Sequence, residues 1–363
     1  MRAAVSRAIG HIEVEDIDDP APRAGEVKIR IAAVGVCHTD LSMLHGHLPA
    51  QFPIVLGHEG AGVVVEVGPG VQELAVGDHV VCSIIAFCGH CWYCARGEFP
   101  LCTGTVFFTG KMLDGTTRLA KGGEPIHTLH FQGSFAEYAV VPERFAVKVR
   151  ADAPLDKICG FACGVSTGMG AAMVRAEVTP GSSVLVVGAG GVGTSAMIGA
   201  RVMGATTIIA ADIADKKITN ALANGFATHG VNSSTSDLLA TVRELTDGRG
   251  VDFAFDAVGM PGTLETAVDA TRQGGTCVVI GRGDATITAS VMTSQFLRHK
   301  TVTGTFGGSI TPKRHIPEFV DLYMQGRLDL DRLLDARYGL DDIATALDDL
   351  HHGRMTRGVV VID

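Results

Sequence analysis

A chain of 363 residues is long enough for two domains, because single hydrophobic cores stop growing near ~250–300 residues. Hydrophobic residues make up 46% of the chain and charged residues 19%, which excludes a disordered protein. The net charge of −9 predicts no basic surface for nucleic acid or an anionic membrane. No stretch reaches the ~20 apolar residues of a membrane span, and residues 1–17 lack a signal-peptide pattern. We therefore expect a cytoplasmic protein, and the tight spacing among its nine cysteines points to metal binding instead of disulfides.

The first part of the chain has the pattern of a glycine-rich β-barrel. Short polar and apolar runs over residues 1–35 end in an alternating strand at 26–31, and further strands are predicted for residues 63–67 and 77–81. Cys37 and His58 lie between these strands, and each could be incidental when taken alone. We expect the barrel to be a scaffold for loops.

Four cysteines on one loop form the most specific pattern in the chain. Cys88, Cys91, Cys94 and Cys102 have the spacing of a closed tetrahedral zinc site. Such a site has no open position for a substrate, so we expect it to brace the loop. Free thiols and an iron–sulfur cluster are the alternatives, and the lack of a second cluster motif favours zinc.

Residues 103–133 have the pattern of an irregular insertion that carries the aromatic residues Phe107, Phe108 and Phe131. Strand pattern returns over residues 134–148, and a helix is predicted for residues 165–176. We place one domain over residues 1–164 and 305–363, and a second domain over residues 165–304.

The second domain begins with the pattern of a dinucleotide-binding unit. An apolar run at 184–187 predicts a strand buried on both faces, and Gly188, Gly190 and Gly193 then open a helix. These glycines permit a tight turn, a close approach of backbone to a pyrophosphate and close packing of helix on strand. Asp212 follows about 20 residues later, where a carboxylate binds ribose hydroxyls. The alternative is a glycine-rich turn without a ligand.

Strands and helices alternate through the rest of the second domain, as a doubly wound sheet requires. Strands are predicted at residues 251–256, 275–281 and 300–304, and helices at 215–224, 235–246 and 262–272. Two further helices are predicted at residues 317–325 and 341–351. We expect the final strand, residues 358–362, to rejoin the first domain.

The ordered set of motifs resembles that of zinc-dependent medium-chain alcohol dehydrogenases, in their class I/III-like, long-insert type. The set comprises CHTD at 37–40, GHE at 57–59, the four-cysteine loop, CGVSTG at 163–168 and GAGGVG at 188–193. The resemblance covers essentially the whole chain. It implies an α/β protein with a GroES-like β-barrel catalytic domain and a Rossmann coenzyme domain built on a doubly wound parallel sheet. It also implies NAD, two zinc ions per subunit, a small alcohol or aldehyde substrate and a homodimer, with a tetramer as the alternative.

The resemblance implies that Cys37, His58 and Cys163 hold a catalytic zinc whose fourth position takes water or substrate oxygen. Asp40 would orient His58 through its second ring nitrogen, and Glu59 would lie behind the metal. A buried, hydrogen-bonded side chain is the alternative for each carboxylate.

The route of the alcohol proton is also implied by position. Thr39 would accept that proton first. Ser42 stands where many relatives have a histidine that passes the proton to solvent, so we expect Ser42 and water to carry it here. His45 or His47 is the alternative.

Most cofactor contacts are likewise implied by the resemblance. A histidine at position 38, where arginine is frequent, should hold NAD less tightly. The Asp212 carboxylate would repel a 2′-phosphate, so we expect a preference for NAD over NADP. The full set of predicted cofactor contacts is His38, Thr167, Gly188, Gly190, Gly191, Val192, Gly193, Asp212, Lys217, Ile280, Gly281 and Arg357.

A primary alcohol with a hydrophobic or aromatic group is the expected substrate, because the candidate pocket residues are apolar: Ile84, Phe87, Phe108 and Phe131. The first alternative is a formaldehyde dehydrogenase acting on a thiol adduct, with cationic groups for an acidic conjugate: Lys111, Arg118 and Lys121. The second is a relative that retains its cofactor between turnovers. A nucleotide sensor or a nucleic-acid zinc module is disfavoured by the complete ligand set and the acidic charge.

Overall fold

The computed structural model describes residues 1–105, 108–283 and 286–362, so Phe107 lies outside the described residues. The chain forms two compact units. The first contains Met1–Cys163 and the residues from Thr311 onward, and the second is Gly164–Ile310. The sequence instead places the second boundary after residue 304. The difference arises because Gly308 packs closely on the second unit, where a Cβ at residue 308 would lie 2.5 Å from the Ser166 carbonyl oxygen.

The first stretch of the chain is mostly β-structure, with two short helices. Its elements are β1 (Arg2–Ala8), β2 (His11–Asp16), β3 (Glu26–Gly35), α1 (His38–Leu44), β4 (Ile54–Val55), β5 (Gly60–Val67), β6 (His79–Cys82), β7 (Leu119–Lys121), β8 (Glu124–Thr128), β9 (Tyr138–Pro142), β10 (Ala146–Lys148) and α2 (Leu155–Ile158).

Strands and helices alternate in the second unit, which begins with α3 and a π-helical turn at Ala171–Arg175. Its elements are α3 (Gly164–Gly170), β11 (Ser183–Val187), α4 (Gly191–Val202), β12 (Thr207–Asp212), α5 (Asp215–Ala223), β13 (His229–Asn232), α6 (Leu238–Leu245), β14 (Val251–Asp256), α7 (Thr263–Ala270), β15 (Thr271–Val279) and β16 (Thr301–Gly304). The chain then returns to the first unit with α8 (Pro312–Met324), β17 (Ala336–Gly339), α9 (Ile343–His351) and β18 (Gly358–Val361).

The second unit contains a six-stranded sheet in the order β13-β12-β11-β14-β15-β16. Every neighbouring pair in it is parallel. Val184, Leu185 and Val186 in the central strand β11 are fully buried, as expected for a strand that is covered on both faces. The predicted doubly wound fold is confirmed, and it places the carboxyl end of β11 at the glycine turn.

The first unit has two sheets, in the orders β2-β1-β4-β8-β7 and β10-β6-β5-β3-β18-β17, with β9 also paired to β3. The predicted return of the final strand is observed, since β18 pairs antiparallel with β3. Ile29, Ile31, Val64 and Phe135 are buried in the main core of this unit. The barrel thus supports the loops between β3 and β6.

The expectation of a wholly irregular insertion over residues 103–133 is wrong. Strands β7 and β8 within it pair antiparallel, with Leu119 opposite Ile126. Both side chains are buried in a small cluster with Val5 and Val55. Burial of these apolar residues therefore stabilises a hairpin that the polar turns around it obscure.

Among the described residues, no individual helix has the length and apolar composition needed to cross a membrane. One bent pair, Leu155–Ala162 with Gly164–Arg175, meets those criteria only when the two parts are combined.

Candidate functional site

Cys37, His58, Glu59 and Cys163 converge in the first unit, where one potential ligand atom from each lies within 4.8 Å of the others. Cys37 is extended and immediately precedes α1. His58 and Glu59 occupy the turn before β5, and Cys163 follows the short helical turn Cys159–Ala162. Three separate loops of one unit therefore build the group that the sequence predicts as the catalytic zinc site.

The His58 ring is held by one nitrogen, whereas the other lacks a hydrogen-bond partner. Asp40 Oδ1 lies 3.0 Å from His58 Nδ1 and accepts a hydrogen bond of 2.8 Å from the Gly57 N–H. His58 Nε2 is buried without a hydrogen-bond partner among the described residues. Buried ring nitrogens normally have a partner, so a metal ligand role for Nε2 accounts for its environment. The predicted orientation of His58 by Asp40 fits this geometry.

The charges around His58 favour a bound cation. Burial alone would lower the pKa of His58, but the carboxylate of Asp40 and the sulfur of Cys37 raise it well above its usual range. A hydrogen bond from the Cys163 thiol lowers the pKa of Cys37 well below its usual range, and the same contact raises that of Cys163. A divalent cation between the sulfurs would replace the proton that they share. Two sulfurs and one imidazole with an open fourth position are typical of catalytic zinc.

Glu59 forms a buried ion pair with Arg357, a residue 298 positions away in the sequence. Both side chains are almost completely buried. Burial raises the pKa of the Glu59 carboxyl, which the nearby guanidinium only partly offsets. Gly35 allows this arrangement, because a Cβ at residue 35 would overlap Glu59 Oε2. The structure thus brings Glu59 to the ligand group and pairs it with a residue that the sequence assigns to the cofactor.

Gln132 is a buried residue at this site that the sequence did not indicate. Its Nε2 donates to the carbonyl oxygens of His58, at 3.1 Å, and Cys82, at 3.2 Å. Its Oε1 accepts from the Gly60 N–H and the Ser134 hydroxyl. Both ends of the amide are therefore satisfied, and they fix the backbone on either side of Glu59. No local motif marks such a residue, because all its partners except Ser134 are distant in sequence.

The second cysteine group is compact enough for one zinc ion. Sγ atoms are 3.5 Å apart for Cys91 and Cys94, 3.8 Å for Cys91 and Cys102, and 3.9 Å for Cys88 and Cys94. A tetrahedral ion with Zn–S bonds of about 2.3 Å places its sulfurs about 3.8 Å apart. The N–H groups of Cys91 and Gly104 donate to Sγ atoms of this group. The loop is therefore arranged for thiolates, and all four cysteines surround the position of the ion.

The glycine turn after β11 has the geometry of a pyrophosphate site. Gly188 has φ of 95°, which favours glycine. A Cβ at Gly193 would overlap the Gly188 carbonyl oxygen, so this glycine allows α4 to pack close to the strand. A Cβ at Gly190 would meet nothing within 4 Å, which leaves its backbone open to a ligand. The predicted residues Gly191 and Val192 form the first turn of α4, whose N-terminus favours an anion.

Asp212 ends the neighbouring strand β12 and organises this turn. Its Oδ2 accepts a hydrogen bond of 2.8 Å from the Ala189 N–H, and its Oδ1 accepts one of 3.0 Å from the Ala214 N–H. Lys217 Nζ lies 3.9 Å from Oδ2. The structure thus brings the predicted ribose carboxylate and the predicted adenosine-side lysine together beside the glycine turn.

The remaining predicted cofactor residues lie in several elements. The N–H groups of Ile280 and Gly281 donate to the Asp256 carbonyl oxygen after β15, and Thr167 lies in α3. His38 is the first residue of α1. Arg357 belongs to the first unit and contacts Glu59 there, so its pyrophosphate contact stays a prediction.

Helix α1 carries the predicted proton acceptor Thr39 and the predicted relay residue Ser42. The N–H groups of His45 and His47 donate to the Leu41 and Ser42 carbonyl oxygens, which fixes the backbone after the helix. The loop therefore has a defined conformation, and the proton route through Ser42 stays a prediction.

The predicted cationic residues of the insertion are mostly neutralised. Arg118 is almost completely buried and pairs with Glu26, with Nη2 2.6 Å from Oε1. Lys121 pairs with Glu15. Lys111 is exposed. Glu26 and Glu15 therefore engage two of the three cations that were candidates for binding an acidic conjugate.

The predicted aromatic residues differ in the rings that they contact. Phe108 packs edge-on against His130, with ring centroids 5.3 Å apart, and His130 lies 5.4 Å from the His58 ring. Phe131 packs against Phe145 in the core. Phe87 also contacts Phe145, and Ile84 is buried. Among the described residues, Phe108 is therefore connected to the His58 ring through His130.

The chain is similar to known dehydrogenases over nearly its whole length. Residues 23–151 match the alcohol dehydrogenase GroES-like domain, and residues 191–325 match the zinc-binding dehydrogenase family. The chain is 38% identical to an NDMA-dependent alcohol dehydrogenase of Amycolatopsis methanolica, over 99% of this chain and 98% of the relative. It is also 38% identical to an S-(hydroxymethyl)glutathione dehydrogenase of Paracoccus denitrificans, over 99% of each.

The fold of the chain is also similar to that of a solved alcohol dehydrogenase structure. The crystal structure of benzyl alcohol dehydrogenase from Acinetobacter calcoaceticus matches with a TM-score of 0.94 and 38% identity. The match covers 100% of this chain and 99% of that one.

Proposed function

The chain belongs to the zinc-dependent medium-chain alcohol dehydrogenases, and we propose that it oxidises primary alcohols with a hydrophobic or aromatic group, using NAD. The observation that carries the proposal is the convergence of Cys37, His58 and Cys163 with an unpartnered His58 Nε2. These three residues hold the catalytic zinc, and Cys88, Cys91, Cys94 and Cys102 hold a structural zinc. When bound, the catalytic zinc supplies a Lewis acid for the substrate oxygen and NAD supplies the hydride acceptor.

The protein side chains position these groups and move the proton. Asp40 accepts a hydrogen bond from His58 Nδ1, so that the lone pair of Nε2 is available to the metal. Thr39 accepts the alcohol proton, and Ser42 with water carries it to solvent. In the second unit, the open backbone at Gly190 and the N-terminus of α4 bind the pyrophosphate, while Asp212 binds the ribose hydroxyls.

A hydrophobic or aromatic substrate is favoured over an acidic thiol adduct. Two of the three candidate cations for such an adduct, Arg118 and Lys121, are engaged by carboxylates. Benzyl alcohol dehydrogenase is among the similar structures. The similarity to S-(hydroxymethyl)glutathione dehydrogenase keeps the thiol adduct as the second candidate.

A substrate panel tests this proposal. Primary aliphatic, aromatic and terpenoid alcohols would be compared by kcat/KM with NAD, and formaldehyde would be tested with and without added glutathione. We expect benzyl alcohol to exceed ethanol by at least tenfold and glutathione to have no effect. A strict requirement for glutathione would instead establish the second candidate.

A cofactor that stays bound between turnovers is a further alternative, favoured by the similarity to an NDMA-dependent enzyme. The absorbance spectrum of the protein, purified without added nucleotide, distinguishes the two cases. We expect no band of bound NADH near 340 nm, and a stoichiometric band would establish retention.

We also propose a homodimer formed through strand β16, with a tetramer as the alternative. β16 is the edge strand of the second unit's sheet, and Leu297 and Phe296 are exposed just before it. Such an edge can pair with a second copy. Light scattering after size-exclusion chromatography measures the subunit number.

The proposed location is the cytoplasm. All nine cysteines are free, and six of them lie in the two proposed zinc sites. A reducing compartment keeps such thiols available to metal. Fractionation of the producing cells tests this proposal.

A further inference from the structure

Four histidine rings meet on the surface of the first unit, outside the two cysteine sites. His45 lies 5.3 Å from His351 and 6.0 Å from His47 between ring centroids. His351 lies 4.9 Å from His352. The proposed function uses none of these rings as a ligand, and imidazole is the commonest protein ligand of transition metals.

The spacing of His45 and His351 suits a shared metal ion. Two imidazoles bound to one ion through bonds of about 2.0–2.1 Å hold their ring centres about 4.5 to 5.5 Å apart. The observed 5.3 Å falls within that interval, and the rings do not stack face to face because their planes are 86° apart. The His47 ring is slightly farther from His45, and exposure of its side chain leaves it room to rotate.

The backbone at this cluster is held in place before any ion binds. The N–H of His45 donates to Leu41 O and the N–H of His47 donates to Ser42 O. His351 is the last residue of α9, and α9 packs against α1. Only side-chain torsions are left to adjust, which lowers the entropic cost of binding.

We infer that His45 and His351 form a binding site for a divalent transition-metal ion, with His47 as a third ligand and water completing the coordination. The ring nitrogens do not yet meet at one point as the ligand atoms of the cysteine groups do, so binding requires side-chain rotation. An ion at this site would connect α1, which carries Thr39 and Asp40, to α9.

His352 supplies a matched control within the same cluster. Its Nδ1 lies 3.0 Å from the Asp348 carbonyl oxygen and 3.2 Å from Asp348 Oδ1, so these contacts hold its ring beside Asp348. His229 is a second control, since it is exposed and belongs to β13 of the second unit.

The test is a titration of the zinc-saturated protein with Ni²⁺ at pH 7.5, followed by calorimetry and by metal analysis after dialysis. We expect one Ni²⁺ per chain beyond the bound zinc. His45→Asn and His351→Asn should each weaken Ni²⁺ binding at least tenfold, whereas His352→Asn and His229→Asn should leave it within twofold of the wild type.

Thermal unfolding provides a second test of Ni²⁺ binding that does not depend on catalytic activity. Ni²⁺ should raise the Tm of the wild type and of His352→Asn, but not that of His45→Asn. Wild-type binding by both His45→Asn and His351→Asn, or displacement of zinc in proportion to bound Ni²⁺, would overturn the inference.

Discussion

Asp40 Oδ1 lies 3.0 Å from His58 Nδ1, and the same oxygen accepts the Gly57 N–H. Both side chains are almost completely buried. A single carboxylate therefore fixes both the ring of a proposed zinc ligand and the backbone beside it. The other carboxylate oxygen, Oδ2, has no hydrogen-bond partner among the described residues.

We predict that Asp40→Asn weakens the catalytic zinc by about 10- to 100-fold, because the partner that orients the metal-binding histidine is altered. Competition with a chelator, followed by metal analysis, measures this change. The four-cysteine site should retain its zinc at the same chelator concentration and so serves as the internal control. Equal loss of both ions would contradict the prediction.

The buried pair of Glu59 and Arg357 predicts an asymmetric cost of substitution. Glu59→Gln leaves a buried guanidinium that cannot lose its charge, so we expect a loss of about 3–5 kcal/mol in the free energy of unfolding. Arg357→Met should cost less, because burial already raises the pKa of Glu59 and the carboxyl can take up a proton.

Urea unfolding of zinc-saturated protein, followed by circular dichroism, measures these costs. The double variant should lose less than the sum of the two single variants. Strict additivity would show that the two residues do not stabilise each other.

Asp212 should make the wild type prefer NAD over NADP by at least tenfold in kcat/KM, because its carboxylate repels a 2′-phosphate. Asp212→Ser combined with Ile213→Arg should raise the use of NADP. The single change Ile213→Arg is the matched control, and it should remain selective for NAD. We also expect Asp212→Ser to lower the efficiency with NAD, since Asp212 accepts the N–H groups of Ala189 and Ala214. Equal wild-type rates with both cofactors would be incompatible with this role.

After removal of zinc, the cysteines of the four-cysteine loop should react with an alkylating reagent at different rates. Hydrogen bonds from the backbone at Cys94 and Thr103 lower the pKa of Cys91 to about 5, whereas burial raises the pKa of Cys94 to about 12. At pH 6.5, iodoacetamide should therefore modify Cys91 well before Cys94 in the chelated protein. Peptide mass spectrometry follows each site, and zinc-saturated protein should be protected at both. Labelling of Cys94 as fast as Cys91 would refute the predicted order.

His315 should make the stability of the first unit sensitive to mild acid. Burial lowers the pKa of its ring, and Nδ1 accepts the Thr311 N–H at the start of α8. The unfolded chain, with an ordinary histidine pKa of about 6.5, then binds more protons than the folded chain as the pH falls below that value. This contribution to stability is present above that pH and is lost below it.

His315→Gln keeps an acceptor for the Thr311 N–H but does not titrate. The wild type should therefore lose more unfolding free energy between pH 7.5 and 5.5 than the variant does. Urea midpoints measured across this range provide the test, and parallel pH curves would contradict the assignment.

Much of the fold can be predicted from local sequence patterns. The apolar run of β11, the glycine turn after it and the four-cysteine loop each depend on residues close in sequence, and the structure brings each group together as expected. Helix α8 is less well predicted, since it begins at Pro312 and not at Pro317. Proline is tolerated in the first turn of a helix, so Pro312 can begin α8, but Pro317 lies inside the helix.

The parts that sequence reasoning missed depend on distant partners. Arg357 pairs with Glu59, which is 298 residues away in the sequence, and Arg118 pairs with Glu26, which is 92 residues away. Hydrophobic periodicity and motif spacing indicate which residues are neighbours within one helix, strand or loop. They do not indicate which charged residues from distant parts of the chain form ion pairs in the fold. Gln132 is missed for the same reason, because its role follows only from the carbonyl groups that the fold brings to it.

Transfer of deuterium from 1,1-dideuterated benzyl alcohol tests directly whether the protein moves a hydride from an alcohol to NAD. The zinc-saturated protein would be mixed with NAD and the labelled alcohol for a single turnover, and the nicotinamide would be analysed by mass spectrometry. We predict one deuterium per NADH formed, together with two zinc ions per chain and loss of transfer in Cys163→Ser. NADH without deuterium, or undiminished transfer by Cys163→Ser after its catalytic zinc has been lost, would contradict the account.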